Sequence, residues 1–87
     1  MSAPLPGADR IEELRAQLDA VDDAILAAVT RRHALVGELR AHKAQRGMPF
    51  LDPSREAVIE ARYQAVLPEL RPDVVRALAR AVLAASR

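Results

Sequence analysis

The stretch from Asp9 to about Arg46 contains no proline, and its length limits the folds that the chain can adopt. Its apolar residues recur at steps of three and four, as on one face of an α-helix. They are Ile11, Leu14, Leu18, Val21, Ile25, Ala28, Leu35 and Leu39. Gly37 lies inside the stretch, and a helix tolerates glycine at a cost of roughly 1 kcal/mol relative to alanine. The sequence therefore predicts one long helix.

Both ends of this helix carry recognisable signals. Asp9 is predicted to cap the first backbone amides, and Glu12 can close a pair of the capping-box type. At the other end, Gly47 suits the left-handed conformation that follows many helices, and Pro49 comes shortly after it.

The predicted helix is too long for a compact chain of this size. About 37 residues at ~1.5 Å each make a rod of roughly 55 Å, whereas the expected radius of gyration is only ~12 Å. A monomer would leave the apolar face exposed to water along much of its length. We therefore expect a homodimer that pairs two long helices. The alternative is a monomeric bundle, which would require a break near Gly37.

Two shorter helices are predicted after the long one. Asp52 is a typical cap and Pro53 a typical first helical residue, so the second helix should begin here and run to about Val66. The segment Arg71-Pro72-Asp73 opens a third helix. Its predicted inner face consists of Val75, Leu78, Val82 and Ser86. In the connector before the second helix, Phe50 and Leu51 are expected to pack against the core. No strand-like alternation is present, so the predicted class is all-α, with one long and two short helices per protomer.

Composition and charge exclude several classes of protein. The chain has 87 residues, of which 51% are hydrophobic but only 2% aromatic, a mixture that favours helices. Thirteen basic and 12 acidic side chains give a net charge of +1, which argues against a nucleic-acid or membrane-surface protein. No run approaches the ~20 apolar residues of a membrane span. We expect a cytoplasmic protein.

A single domain is predicted over residues 9–87, after a disordered tail over residues 1–8 that lacks the apolar core of a signal peptide. The absence of cysteine excludes a disulfide framework. His33 and His42 lack the spacing of helical metal ligands, and no phosphate-binding glycine loop is present. Neither a metal nor another cofactor is expected.

Charged residues occupy positions that should be buried. Arg32 interrupts the apolar face between Ala28 and Leu35, and Lys43 lies further along the same region. One such residue alone would be better explained by a long stem that covers apolar surface while its head reaches water. Several converging cations are different, because a buried cation is destabilising without a compensating anion. The pattern therefore favours a site for an anionic ligand.

The order of these residues resembles a known family. The matching segments are Leu14-Arg15, Leu18-Asp19-Ala20-Val21-Asp22, Ile25-Leu26, Arg32, Lys43 and Asp52-Pro53-Ser54-Arg55-Glu56. This set resembles the all-helical AroQ class of chorismate mutases, over nearly the whole chain from Asp9 to Ser86. The resemblance implies an intertwined homodimer of three-helix protomers that converts chorismate to prephenate in phenylalanine and tyrosine biosynthesis. Each of its two active sites would borrow an arginine from the other subunit's long helix.

The resemblance also implies roles for individual residues. Those matched to substrate contacts are Arg15, Arg32, Lys43, Asp52, Arg55, Glu56 and Ser86, and those matched to catalysis are Arg32, Lys43 and Glu56. Arg15 would be the borrowed arginine, and it would grip the two substrate carboxylates together with Arg32. Lys43 would contact a carboxylate and the ether oxygen.

The remaining matches complete the expected site. Asp52, Arg55 and Glu56 match the segment that holds the ring hydroxyl, and Ser86 matches a serine beside a substrate carboxylate. The apolar lining would be Val36, Leu39, Ile59 and Leu83. The family commonly has a Gln or Glu one turn beyond this serine, whereas the sequence ends at Arg87. Three explanations stay open: a truncated chain, another group in that role, or low activity until a partner completes the site.

Other functions stay open on the same fold. One is the rearrangement of aminodeoxychorismate, and another is the removal of pyruvate from isochorismate. A third is a weakly active helical dimer that regulates a partner enzyme of the shikimate pathway.

Overall fold

A computed structural model of the protein describes residues 7–86, except for the side chain of Ala8. This range contains three α-helices and no strand: α1 (Ala8–Gln45), α2 (Pro53–Val66) and α3 (Pro72–Ala85). The predicted all-α class, with one long and two short helices, is confirmed. Residues 1–6 of the predicted tail lie outside the described residues, whereas Gly7 and Ala8 belong to the start of α1.

The long helix is continuous. α1 has 38 residues, and Gly37 lies within it without a break, so the alternative of a helix broken near this glycine is wrong. The Cα radius of gyration is 19.0 Å, against ~12 Å for a compact chain of this length. α1 therefore extends well beyond the other two helices.

The N-terminal signal of α1 differs from the prediction. The cap is Gly7, whose φ of 89° is readily adopted only by glycine, and its carbonyl accepts a hydrogen bond from the Ile11 amide at 2.9 Å. Asp9 consequently lies inside the first turn and does not cap it, so the predicted Asp9 cap is wrong. Its charge still opposes the positive end of the helix dipole.

The C-terminal signal of α1 is confirmed. Gly47 has a φ of 67°, and its amide donates to the Ala44 carbonyl at 3.2 Å. The Met48 amide donates to the Lys43 carbonyl at 2.9 Å. These two bonds form a Schellman motif, which satisfies carbonyls at the helix end and turns the chain toward α2.

α2 begins as predicted. The Asp52 carboxylate accepts a hydrogen bond from the Arg55 amide at 3.1 Å, and Pro53 is the first helical residue. In the connector before it, Phe50 is half-buried, but Leu51 is exposed. The predicted packing of Leu51 against the core is therefore wrong for the single chain.

α3 packs against both α1 and α2, whereas no Cα of α1 lies within 8 Å of a Cα of α2. The buried face of α3 consists of Val75, Ala79, Leu83 and Ser86. The predicted face differed, because Leu78 is exposed and Val82 only half-buried. The face of α3 that packs against the other two helices passes through Ala79. Its small side chain lets the helices approach closely, whereas the bulkier Leu78 lies outside this face.

Most of the apolar face of α1 remains uncovered in the single chain. Its N-terminal half carries Ile11, Leu14, Leu18, Val21, Ile25 and Leu26, which are between 42% and 65% exposed. Within residues 7–86, no helix combines the length and hydropathy needed to cross a membrane. The buried core of one chain is thus confined to one face of α3 and the surfaces that it touches.

The two glycines near the end of α1 should respond oppositely to alanine. Gly37 is helical and has open space around it, so Gly37→Ala should raise the free energy of unfolding by about 0.5–1 kcal/mol. Gly47→Ala should lower it by roughly 1–2 kcal/mol, because its φ of 67° strains any residue with a Cβ. Urea unfolding followed by circular dichroism measures both changes. An equal effect of the two substitutions would contradict the described end of α1.

Candidate active site

The site begins where the C-terminal end of α3 meets the middle of α1. Arg32 is half-buried, and its Nη1 atom donates to the Ser86 hydroxyl and, at 3.4 Å, to the Val82 carbonyl. The Ser86 hydroxyl in turn donates to the Val82 carbonyl at 2.9 Å. Because Ser86 is only 3% exposed, this small network fixes one edge of the guanidinium and leaves its other N–H groups available.

A small pocket of about 90 Å3 opens beside this network. It is lined by Arg32, Val36, Leu39, Phe50, Leu51, Asp52, Glu56, Leu83 and Ser86. Seven of these nine residues belong to the site predicted from the sequence. Phe50 and Leu51 were not predicted as site residues, although their position directly before the Asp52 cap was a usable signal.

A larger pocket of about 450 Å3 lies between Arg32 of α1 and one face of α2. It is lined by Arg32, Arg55, Ile59, Arg62, Tyr63, Val66 and Leu67. Arg32 belongs to both pockets. Arg55 and Ile59 belong to the site predicted from the sequence. Arg62 was not predicted, although it lies two helical turns after Arg55 on the same face of α2.

Lys43 lies at the end of α1, close to the connector. It is half-buried, and its Nζ atom donates to the Phe50 carbonyl at 3.3 Å. It lines neither of the two pockets, but Phe50 lines the smaller one. The sequence contains one lysine and twelve arginines, so Lys43 is the only lysine of the chain.

Arg15 does not reach either pocket of its own chain. It lies on α1 about 25 Å before Arg32, and its exposed guanidinium pairs with Glu12 at 3.0 Å. An exposed ion pair of this kind is weak and is easily exchanged for another anion. A contribution of Arg15 to a site therefore requires the site of another chain.

Within residues 7–86, the arginines that line the two pockets lack a carboxylate partner, as do the exposed Arg31, Arg46 and Arg76, and what distinguishes the pocket arginines is that they converge. Arg10, Arg15, Arg71 and Arg80 each form an ion pair with Asp or Glu. By contrast, Arg32, Arg55 and Arg62 form no ion pair with any residue of the range 7–86. Three guanidinium groups that share one concave surface without a carboxylate between them create a site of positive potential, which suits a small anion.

The acidic residues of the smaller pocket have local roles as well. Asp52 caps α2, and Glu56 lies in the first turn of that helix, where its charge opposes the helix dipole. Both line the smaller pocket. A ligand in this pocket would thus meet a cation on the α1 side and hydrogen-bond acceptors on the α2 side. In the range 7–86 no group of three or more His, Asp or Glu residues could hold a metal ion.

Fold and pockets together define an all-helical protein with three arginines around one concave surface. Comparison with known protein families identifies the family to which the chain belongs. The model of the family described as chorismate mutase type II matches residues 14–87. The chain therefore belongs to the chorismate mutase type II family, as its sequence resemblance predicted.

Three curated relatives are similar to the chain. T-protein of Enterobacter agglomerans is 38% identical over an alignment of 73 residues, and the match covers 77% of this chain and 20% of that protein. Chorismate mutase of Methanocaldococcus jannaschii is 31% identical over 65 residues, 75% of this chain and 66% of the relative. 4-Amino-4-deoxychorismate mutase of Streptomyces venezuelae is 35% identical over an alignment of 60 residues, and the match covers 66% of this chain and 58% of the relative. The chain thus spans a fifth to about two thirds of these proteins. No solved structure matches it significantly.

Removal of Arg32 should not destabilise the chain strongly. Arg32→Met keeps an apolar stem and removes a half-buried cation that lacks a carboxylate partner, so the free energy of unfolding should stay within about 1 kcal/mol of the parent value or rise. Arg31→Met, at the exposed neighbouring position, is the matched control. Chemical denaturation of both variants makes the comparison. A loss above ~2 kcal/mol in Arg32→Met alone would assign Arg32 a structural role instead of a ligand-binding one.

Proposed function

We propose that the protein is a homodimeric chorismate mutase that converts chorismate to prephenate in phenylalanine and tyrosine biosynthesis. The observation that carries the proposal is the position of Arg32: a half-buried guanidinium without a carboxylate partner in residues 7–86, held along one edge by Ser86 and shared by two pockets. Membership of the chorismate mutase type II family supports it further.

The reaction is an intramolecular rearrangement, and this suits a site without a nucleophile or a metal. The carbon–oxygen bond of the ether breaks while a carbon–carbon bond forms within the same molecule, so atoms and electrons balance without a co-reactant. The enzyme has to hold the flexible dianion in its reactive folded conformation. Arginine is well suited to this task, because its planar N–H groups can grip a carboxylate through two parallel hydrogen bonds.

Arg32 is proposed to bind one of the substrate carboxylates. Its edge toward Ser86 is already occupied, so the substrate carboxylate would take the remaining N–H groups. Arg55 lines the larger pocket beside it and would serve the same dianion. Asp52 and Glu56 offer acceptors on the opposite side of the smaller pocket, where the ring hydroxyl of chorismate would donate.

Lys43 is the proposed source of electrostatic catalysis. Negative charge grows on the ether oxygen as its bond breaks, and a cation placed there in advance stabilises the transition state more than the ground state. The ammonium has three donors, of which one is given to the Phe50 carbonyl. The other two would remain for the ether oxygen and a substrate carboxylate.

Dimerisation would complete the site and cover the apolar face of α1. The exposed residues of its N-terminal half form a long stripe, and a second copy of the chain offers a matching one. Arg15 lies on this same half of α1. In a dimer with crossed long helices it would be carried to the larger pocket of the other subunit, which Arg32 and Arg55 already line.

Subunit complementation tests the borrowed arginine. Arg15→Ala and Arg32→Ala dimers should each lose most mutase activity, because every site lacks one carboxylate grip. When the two are unfolded together and refolded as a mixture, about a quarter of all sites should regain both arginines, since half the dimers are hybrids with one intact site. Prephenate formation should recover accordingly, and sedimentation should give a dimer. No recovery in hybrid dimers would place Arg15 outside the partner's site.

Removal of the Lys43 charge tests the mechanism. Lys43→Met should fold as the parent does but lose about 3 kcal/mol of transition-state stabilisation, the scale of one oxyanion donor. Arg46→Met removes an exposed cation at the same helix end and is the control that should keep parental kcat. If Lys43→Met and Arg46→Met both retain the parental rate of prephenate formation, electrostatic catalysis by Lys43 is excluded.

A related substrate is the second candidate. The similarity to a 4-amino-4-deoxychorismate mutase favours it, because the two substrates differ by the amine that replaces the ring hydroxyl. Steady-state kinetics with both compounds would decide, and we propose the higher kcat/KM for chorismate. A weakly active dimer that regulates a shikimate-pathway enzyme in the cytoplasm would instead show a low rate that rises when that enzyme is added.

A further inference from the structure

The Lys43 ammonium is held by the backbone of the connector between α1 and α2. Its Nζ atom donates to the Phe50 carbonyl at 3.3 Å, seven residues further along the chain. The Lys43 carbonyl accepts the Met48 amide at 2.9 Å. Lys43 is thus bonded at both its backbone and its side-chain end to the segment that follows α1.

The ring of Phe50 has a contact of its own. The Arg40 guanidinium carbon lies 4.1 Å from the centroid of the ring, a close cation–π arrangement. Arg40 precedes Lys43 by nearly one helical turn, so both side chains lie on neighbouring parts of the same face of α1. Phe50 is half-buried and lines the smaller pocket together with Asp52, two residues later.

These contacts link three residues near the C-terminal end of α1. The guanidinium of Arg40 fixes the ring of Phe50, the carbonyl of Phe50 fixes the ammonium of Lys43, and both cations belong to the same rigid helix. A free lysine side chain samples many rotamers, and binding of a substrate would select one of them at a cost in conformational entropy. A carbonyl held in place removes much of that freedom before the substrate arrives.

We infer that Arg40 and Phe50 are positioning residues for Lys43: their cation–π contact sets the Phe50 carbonyl that aims the ammonium beside the smaller pocket. This inference rests on the proposed function for its kinetic consequences. Neither residue needs to touch the substrate through its side-chain charge or ring. Their effect on the reaction would pass through the geometry of Lys43.

Paired substitutions separate this role from simple packing. Phe50→Leu keeps apolar bulk but removes the ring face, whereas Phe50→Tyr keeps the face. Arg40→Met keeps the stem but removes the cation, whereas Arg40→Lys keeps it. Phe50→Leu and Arg40→Met should each lower kcat about three- to tenfold with KM within about twofold, because a preset interaction made in the transition state is lost. Phe50→Tyr and Arg40→Lys should remain within about twofold of the parent.

The double variant supplies a second criterion. If the two residues act through one contact, Arg40→Met combined with Phe50→Leu should lower kcat no further than the stronger single change, instead of by the product of both factors. Equal rates in Phe50→Leu and Phe50→Tyr, or multiplying effects in the double variant, would overturn the inference. Circular dichroism and sedimentation of every variant show whether the fold is retained.

A spectroscopic measurement is independent of turnover. Because Lys43 is the only lysine, lysine labelled with 15N in its amine gives a single side-chain ammonium resonance. This resonance should be observable in the parent and in Phe50→Tyr, and broadened by faster exchange with water in Phe50→Leu and Arg40→Met. The rate of prephenate formation by the parent tests the proposed function, whereas the ratio of kcat in each variant to kcat in the parent tests the inference. If the parent forms no prephenate, the resonance alone decides: the same signal in the parent, Phe50→Tyr, Phe50→Leu and Arg40→Met would overturn the positioning role.

Discussion

The exposed apolar face of α1 is the constraint on which the proposed assembly of this protein depends. Within residues 7–86 the fully buried side chains are confined to α3, while Leu18 on α1 remains 61% exposed. A core this small buries little apolar surface, so it offsets only a small part of the conformational entropy lost on folding. Folding and association are therefore expected to be one process, and a helix that carries both the apolar face and the proposed anion contacts would couple assembly to function.

The sequence predicted features whose causes are local. The continuity of α1, the positive φ of Gly47 and the Asp52 cap follow from residue types within a few positions of one another. Features that depend on neighbouring helices were predicted less well. The inner face of α3 passes through Ala79 instead of Leu78. This face packs against both α1 and α2, so which residues it buries depends on two helices outside α3.

The residues of the candidate site also divide into those that the sequence predicted and those that depend on contacts between elements. The resemblance to chorismate mutases led to Arg32, Glu56 and Ser86 because their order and spacing along the helices are distinctive, and the structure places all three around one pocket. It did not lead to Arg62 or to the contact between Arg40 and Phe50. Arginine and phenylalanine are common on helices and in loops, so their presence in the sequence does not predict a contact. The contact between Arg40 and Phe50 depends on how the connector folds back over α1.

The bond between Arg32 and Ser86 also links the site to the end of α3. Ser86 follows the last helical residue, where helices commonly fray, and its hydroxyl occupies one edge of the guanidinium. Any ligand that binds the ordered form of Arg32 more tightly must, by thermodynamic reciprocity, also favour the ordered form of this last turn. Amide hydrogen exchange at the end of α3 would then report occupancy of a pocket formed largely by the other two helices.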